Sequence, residues 1–159
     1  MTPRAQAAWD VVAGVVDPEI PVLTIADLGV LRGVTETEAG VEVTITPTYS
    51  GCPAMAVITQ EIERALAGAG IAGQVRLVLD PAWTTAWMSA CGRTKLRAYG
   101  IAPPGKLCGP RAVFADQVVA CPRCGSDKTE EFARFGSTAC KSMHRCRSCR
   151  EPFDHFRCH

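Results

Sequence analysis

Apolar positions along the first hundred residues alternate between two periods, and each change of period marks a new element. Trp9, Val12, Ala13 and Val16 lie at helical spacing and give the chain an opening helix with one apolar stripe. The Asp17–Pro21 segment stops it, because Pro18 and Pro21 bracket a loop. Val30–Thr35 and Val41–Thr46 flank the turn sequence ETEAG and read as a hairpin. In its second arm Val41, Val43 and Ile45 alternate with Glu42, Thr44 and Thr46, the pattern of a half-buried strand. Met55, Ile58, Ile62, Ala65 and Leu66 form a second helical stripe, closed by Gly68 and Gly70. Val75, Leu77 and Leu79 alternate as a third strand, and Met88–Tyr99 reads as a short helix with Arg93, Lys95 and Arg97 towards its C-terminal end, where the helix dipole favours cations. The order α-β-β-α-β-α predicts an α/β (α+β) fold: a small three-stranded sheet with helices on one face.

The pattern fades after Ile101. The stretch IAPPGKLCGP carries three prolines and two glycines and propagates neither helix nor central strand. We therefore expect a first domain over 1–102, a linker over 103–116 and a small second domain over 117–159. The tail has only Phe132, Phe135, Phe153 and Phe156 as large apolar anchors, too few to hold its residues without a staple. Composition adds exclusions. The 159 residues carry 17 basic and 16 acidic side chains, so no field of the whole chain attracts nucleic acid or membrane. From Cys121 onward eight basic and five acidic residues give +3, a bias without a polybasic run. No window approaches 18 consecutive apolar residues, and the N-terminus lacks the basic start and apolar core of a signal peptide, so the expected compartment is the cytoplasm. Nine cysteines there point to metal or redox chemistry rather than to a disulfide frame.

Six of the nine lie in the tail. Cys121-Pro-Arg-Cys124 and Cys146-Arg-Ser-Cys149 form two CxxC pairs with 21 residues between them. Each such turn puts two sulfurs on one side of a tight loop, and two turns complete a tetrahedron around Zn²⁺. Four thiolates leave no open position, so the ion is expected to be structural. A redox role for one pair and an iron site of the rubredoxin type are the other readings of the same spacing. Cys140 stands beside Lys141, a cation that lowers a thiol pKa, but a small packed residue is the plainer reading. Cys158 and His159 close the chain, either as a loose end or as further ligands. His144 and His155 read as surface or packing residues.

The first domain holds a different thiol. Cys52, in PTYSGCP, joins the second strand to the second helix, with Pro53 expected at the first helical position. Free backbone N–H groups and the positive dipole end favour a thiolate there, so Cys52 is a candidate reactive or metal-binding residue. Asp17, Glu19 and Asp27 lie close by in sequence; Asp17 suits a turn-fixing role, while Asp27 is the candidate to approach Cys52.

Three blocks, DPEIPVLTIADLGVL, PTYSGCP and PAWTTAWMS, together resemble the SufT-like domain family, whose members are linked to iron–sulfur cluster assembly. The resemblance implies a functional role for Cys52 and places Asp27 in its DLG block. Ala86 departs from the family, whose members often carry an acidic residue between the two Trp, so no ligand is assigned there. RTKLRAYGIAPP, the double CxxC tail, FGSTACK and CREPFDHFRCH extend the likeness over nearly the whole chain to the PaaD (PaaJ) family of accessory proteins of the bacterial ring-1,2-phenylacetyl-CoA epoxidase system. That system comprises a diiron oxygenase and a reductase with flavin and a [2Fe–2S] centre. The resemblance implies a maturation factor for one of these metal centres in aerobic phenylacetate breakdown, carrying iron or an Fe–S cluster transiently at Cys52 and presenting Cys140 and the ribbon's basic face to an epoxidase component or another Fe–S assembly factor. Small α/β domains of this kind often form homodimers. The residues themselves show no Ser/His/Asp set, P-loop or GxGxxG, and all three His lie outside the first domain, which argues against a self-sufficient enzyme. A direct epoxidase component or thiol oxidoreductase is one alternative, and a nucleic-acid-binding zinc ribbon is the other.

Overall fold

The computed structural model describes residues 1–105 and 118–158, which divide into two compact units: Met1–Trp83 with Trp87–Ser89, and Thr84–Ala86 with the described residues from Ala90 on. In the first unit, helix α1 (Pro3–Val12) is capped by Thr2, whose hydroxyl accepts from the Ala5 N–H, and it starts on Pro3. It buries Ala5, Ala8 and Val12. The expected stripe ran on to Val16, but the helix stops at Val12. Val16 instead bridges Thr24 as an isolated antiparallel pair and is exposed. Strands β1 (Leu31–Thr37) and β2 (Gly40–Ile45) pair antiparallel, and β3 (Gly73–Leu77) joins β2 in parallel after helix α3 (Ala54–Gly68) crosses over. Val41, Val43 and Ile45 turn inward, and α1 and α3 lie together against the sheet. The opposite face is wet: Gln74 and Arg76 of β3 both reach the Glu42 carboxylate of β2. Strand β3 ends at Leu77, so Leu79 falls outside it, and both leucines are exposed.

One short helix escaped the periodicity. Helix α2 (Ile25–Leu28) closes a reciprocal capping box in which Thr24 Oγ1 accepts from the Asp27 N–H while the Asp27 carboxylate accepts from the Thr24 N–H. It ends at Gly29 in the left-handed region, and a Cβ there would lie 2.5 Å from the Trp87 carbonyl oxygen. Trp83 Nε1 donates to the Leu28 carbonyl, and the Arg32 guanidinium lies 3.5 Å from the Trp87 ring centroid. The DLG block and the tryptophans Trp83 and Trp87 are thus two sides of one packed corner. Gly29→Ala should cost about 2–4 kcal/mol, combining left-handed strain with a backbone clash; equilibrium urea unfolding measures it, and a loss below the uncertainty of the method would count against the close packing.

The second unit begins with a 3-10 turn (Thr85–Trp87, of which Trp87 belongs to the first unit) and helix α4 (Ala90–Tyr99). Arg93 of α4 donates to the carbonyls of Thr85 and Pro104. Strand β4 (Ile101–Ala102) pairs in parallel with β7 (Pro152–Phe156), and β6 (Lys141–Cys146) and β5 (Thr129–Ala133) complete a sheet of order β4-β7-β6-β5. The sequence placed α4 and β4 with the first domain, ending it at 102. Their contacts group them instead with the ribbon, because β4 hydrogen-bonds to β7. Most of the expected 103–116 linker lies outside the described residues. The mixed α+β class and the ribbon after it are as expected. Among the described residues no helix is long and apolar enough to cross a membrane.

Candidate metal centre and thiol site

The four knuckle sulfurs converge. Those of Cys121, Cys124, Cys146 and Cys149 all lie within 4.8 Å of one another, with Cys121 to Cys149 at 3.8 Å and Cys124 to Cys146 at 3.5 Å. The two turns are built alike. The Cys121 N–H donates to the Ser126 carbonyl and the Cys146 N–H to the Glu151 carbonyl. Gly125 and Arg150, each directly after the second Cys of its pair, both take positive φ, 73° and 67°. Glycine meets that demand without strain; Arg150 meets it with a side chain attached. Cys121 and Cys146 are buried, where they pack with Ala102 and Phe153, while Cys124 and Cys149 face outward. The Cys149 N–H, with those of Ser148 and the neighbouring thiols adding to it, pulls the Cys146 thiol down to about 6. The Glu151 N–H acts to lower Cys149, yet burial and the hydrogen bonds shared with the other three thiols outweigh it and push Cys149 up to about 12. One negative sulfur suppresses the next, so the full set ionises only around a divalent cation. An all-thiolate tetrahedron suits Zn²⁺, held structurally by these four residues.

Of the two readings of the ribbon histidines, surface or packing, the structure gives packing: both are buried. His144 stacks on Phe153 with ring centroids 5.6 Å apart, and Ser142 Oγ lies 3.0 Å from His144 Nε2 and 3.5 Å from His155 Nδ1. Burial lowers His144, with Glu131 opposing; burial first, then His144 and Arg157, lowers His155 to about 4. His155 is therefore neutral in the folded chain, while the unfolded chain takes its proton near the ordinary value of 6.5. A depressed folded pKa gives stability that is present above pH 6.5 and lost as pH falls towards 4. Between pH 6.5 and 4.5 the wild type should lose on the order of 2–3 kcal/mol more than His155→Leu. Thiolate protonation is common to both proteins, so superimposable stability-against-pH curves would refute this role for His155.

Cys140 is buried, with Thr138 Oγ1 3.0 Å from its sulfur, and its neighbour Lys141 is buried against Asp154 with Nζ to Oδ2 at 3.7 Å. Packing describes both residues. Cys158 is disulfide-bonded, which makes it neither a loose end nor a further ligand, and His159 lies outside the described residues.

Cys52 is a free, half-buried thiol. Gly51 at φ 83° turns the chain, the Cys52 N–H donates to the Tyr49 carbonyl, and the Met55 N–H donates to the Cys52 carbonyl. Pro53 stands one position earlier than expected, as the N-cap of α3, and contributes no side-chain cap. The thiol therefore sits at the mouth of a 15-residue helix whose first turn has no side-chain partner. Asp27 is buried with its oxygens engaged: besides the capping box it accepts from Ser89 Oγ at 3.2 Å, and the Ser89 N–H donates to the Asp27 carbonyl. Its carboxylate ties α2 to Ser89 and so shapes the corner. Asp17 fixes a turn as expected, accepting from the Glu19 and Ile20 N–H groups. Ser89 and Thr24 were not singled out from the sequence, although Thr24 three residues before Asp27 is itself a capping-box signal.

Residues 5–78 match the family model described as "Iron-sulfur cluster assembly protein", and residues 109–157 match that of the "PaaD zinc beta ribbon domain". Over 158 residues the chain is 49% identical to a protein of Escherichia coli (strain K12) named as a component of the 1,2-phenylacetyl-CoA epoxidase, covering 98% of this chain and 94% of that one. A crystal structure of a DUF59 domain from Bacillus anthracis aligns with TM-score 0.54 at 26% identity, covering 58% of this chain and 90% of its own.

Proposed function

Because the chain belongs to the PaaD family, whose Escherichia coli relative is named as a component of the 1,2-phenylacetyl-CoA epoxidase, we propose that it is a cytoplasmic, non-catalytic accessory factor that helps assemble a metal centre of this epoxidase. The metal or cluster is cargo, distinct from the resident zinc. The observation that carries the reading is a division of labour among thiols: four are closed into a structural site, while Cys52 stays free and half-exposed at a helix mouth in the part that matches the assembly model. A thiol there is the group that would hold iron or receive a cluster. Asp27 acts through position: with Thr24 and Ser89 it fixes the corner, and it touches no cargo. Cys140, buried and bonded to Thr138, is a structural thiol in this account.

The oxygenase and reductase subunits, or an Fe–S carrier, are the partners this reading requires. The test is the iron content of each purified subunit after co-expression with and without the chain. We expect a several-fold drop in at least one subunit without it, and equal loading would overturn the proposal. The relative's name, which makes it part of the epoxidase itself, favours a second reading, a permanent component of the enzyme. A strict requirement for the chain in an assay whose partners are already fully metallated would select that reading.

A further inference from the structure

Strand β3 presents an edge that neither the zinc site nor Cys52 explains. Edge strands carry unpaired backbone groups, and native proteins blunt them. Of the edge strands described here, β1 and β5 each slip register against their neighbour, and β4 is two residues long. Strand β3 has no such device. Its pairing with β2 runs without a slip from Gly73 to Leu77, and its sequence holds no proline or lysine. Among the described residues no strand covers its outer side. Four of its five residues are exposed and Val75 is half-buried, with Leu77 at 48%.

The bonds to β2 fix where its backbone groups point. The Val41 N–H donates to the Ala72 carbonyl, and the Val78 N–H donates to the Ile45 carbonyl. Successive residues of a strand turn these groups to alternate sides, so Gln74 and Arg76 also bond towards β2. Gly73, Val75 and Leu77 therefore aim N–H and C=O at the open side. Side chains alternate between the two faces. Val75 shares the inner face with Val43, while Gln74 and Arg76 share the wet face with Glu42, which both of them contact.

We infer that β3 is a homodimer edge, joining antiparallel to β3 of a second copy about a two-fold axis at Val75. This register overlaps the whole strand and matches the open backbone groups: Val75 faces Val75, and Gly73 faces Leu77 on either side. The side chains select a copy as the occupant. Arg76 falls opposite Gln74 of the second copy, so no like charges meet, and Leu77 falls opposite Gly73, which has no side chain to block it. Moving the axis to Arg76 would set two guanidiniums face to face. Moving it to Gln74 would take Leu77 beyond the end of the other strand. A second copy carries the match by construction, whereas a foreign strand must bring its own residues to suit Gly73 and Arg76, and two-fold pairing is the commonest form of self-association. Because β3 runs parallel to β2, Leu77 lies at the end from which Cys52 leads into α3. Antiparallel joining thus sets the two Cys52 thiols at opposite ends of the joined sheet. The pairing itself does not depend on what Cys52 carries.

Sedimentation velocity of the zinc-loaded full chain, over a range of micromolar concentrations, tests this. The mass should rise from one chain to two. Leu77→Lys should raise the dimer Kd by about tenfold or more, since the change acts twice in each dimer. Gln74→Arg, which faces Arg76 of the second copy, should raise it several-fold, and Gln74→Arg/Arg76→Glu should bring it back towards wild type. Circular dichroism and zinc content equal to wild type show that each variant keeps its fold, and Gln74 is an exposed residue whose replacement disturbs no core. A dimer indifferent to Leu77→Lys, or a loss in Gln74→Arg that charge reversal at Arg76 fails to restore, overturns the inference. So does a chain monomeric at every concentration, even if Leu77→Lys weakens its hold on an epoxidase subunit, which would make a foreign strand the occupant.

Discussion

Cys146→Ser should unfold the ribbon sheet, with amide protection lost across β5, β6 and β7 and retained in β1–β3. The reason is the size of the apolar cluster that surrounds the ligands. It consists of Ala102, Cys121, Cys146 and Phe153, with Val119 packed alongside. Phe153 and Phe156 are the large apolar side chains buried in β5–β7, and at about 1.5–3 kcal/mol each they cannot offset the ordering of a forty-residue segment at roughly 1–2 kcal/mol per residue. Zinc binding at four thiolates supplies on the order of 10–16 kcal/mol of apparent folding free energy. Serine leaves the turn geometry intact but removes a thiolate at the best-hydrogen-bonded of the four positions, where the Cys149 N–H donates to its sulfur at 3.5 Å. A metal chelator should reproduce the effect on the wild type. Native protection of β5–β7 in the metal-free chain would show that the sheet stands without its ion, and the structural assignment would fall.

Cys52→Ser should abolish iron loading of the dependent subunit as completely as deletion of the chain, while leaving stability within about 0.5–1 kcal/mol of wild type. Sulfur and oxygen differ little in volume at a half-exposed position, and the turn is held by backbone bonds from Tyr49 and to Met55 that the substitution does not touch. What changes is affinity for soft metal: sulfur is a ligand for iron and cluster cargo, and a hydroxyl oxygen in its place is a poor one. Cys91→Ser is the matched control, since Cys91 is also a free exposed thiol but sits in the first turn of α4. Full loading with Cys52→Ser would remove the thiol from the mechanism, and equal loss with Cys91→Ser would point to a general redox sensitivity instead.

The two sites were legible from sequence to different depths. The CxxC spacing alone identified all four ligands, because the turn that brings two sulfurs together is local and needs only two of them to meet. Cys52 at the start of α3 was legible for a similar reason: a strand, a glycine turn and a proline fix a helix entrance within a few residues. Asp27 was harder. Its sequence neighbourhood gave a carboxylate near a turn, but its tie to Ser89 spans 62 positions, and no local pattern encodes it. The hairpin and the crossover helix followed from their periods. Val16 and Leu79 extended an apolar period past the elements that carried it, since the period reports which face is apolar and not where hydrogen bonding stops. For His144 and His155 surface and packing stayed open, because their burial depends on partners across the sheet, Phe153 and Ser142.

The two-residue strand β4 bears on how this protein can be taken apart and recombined. The ribbon's flanking strand comes from Ile101 and Ala102, upstream of the 109–157 stretch that the ribbon family model spans. A graft of that stretch onto a foreign carrier would therefore transplant β7 with an open flank, exposing the backbone groups of Asp154 and His155 to whatever strand they next encounter. Residues 101 and 102 must travel with it if that flank of β7 is to stay covered.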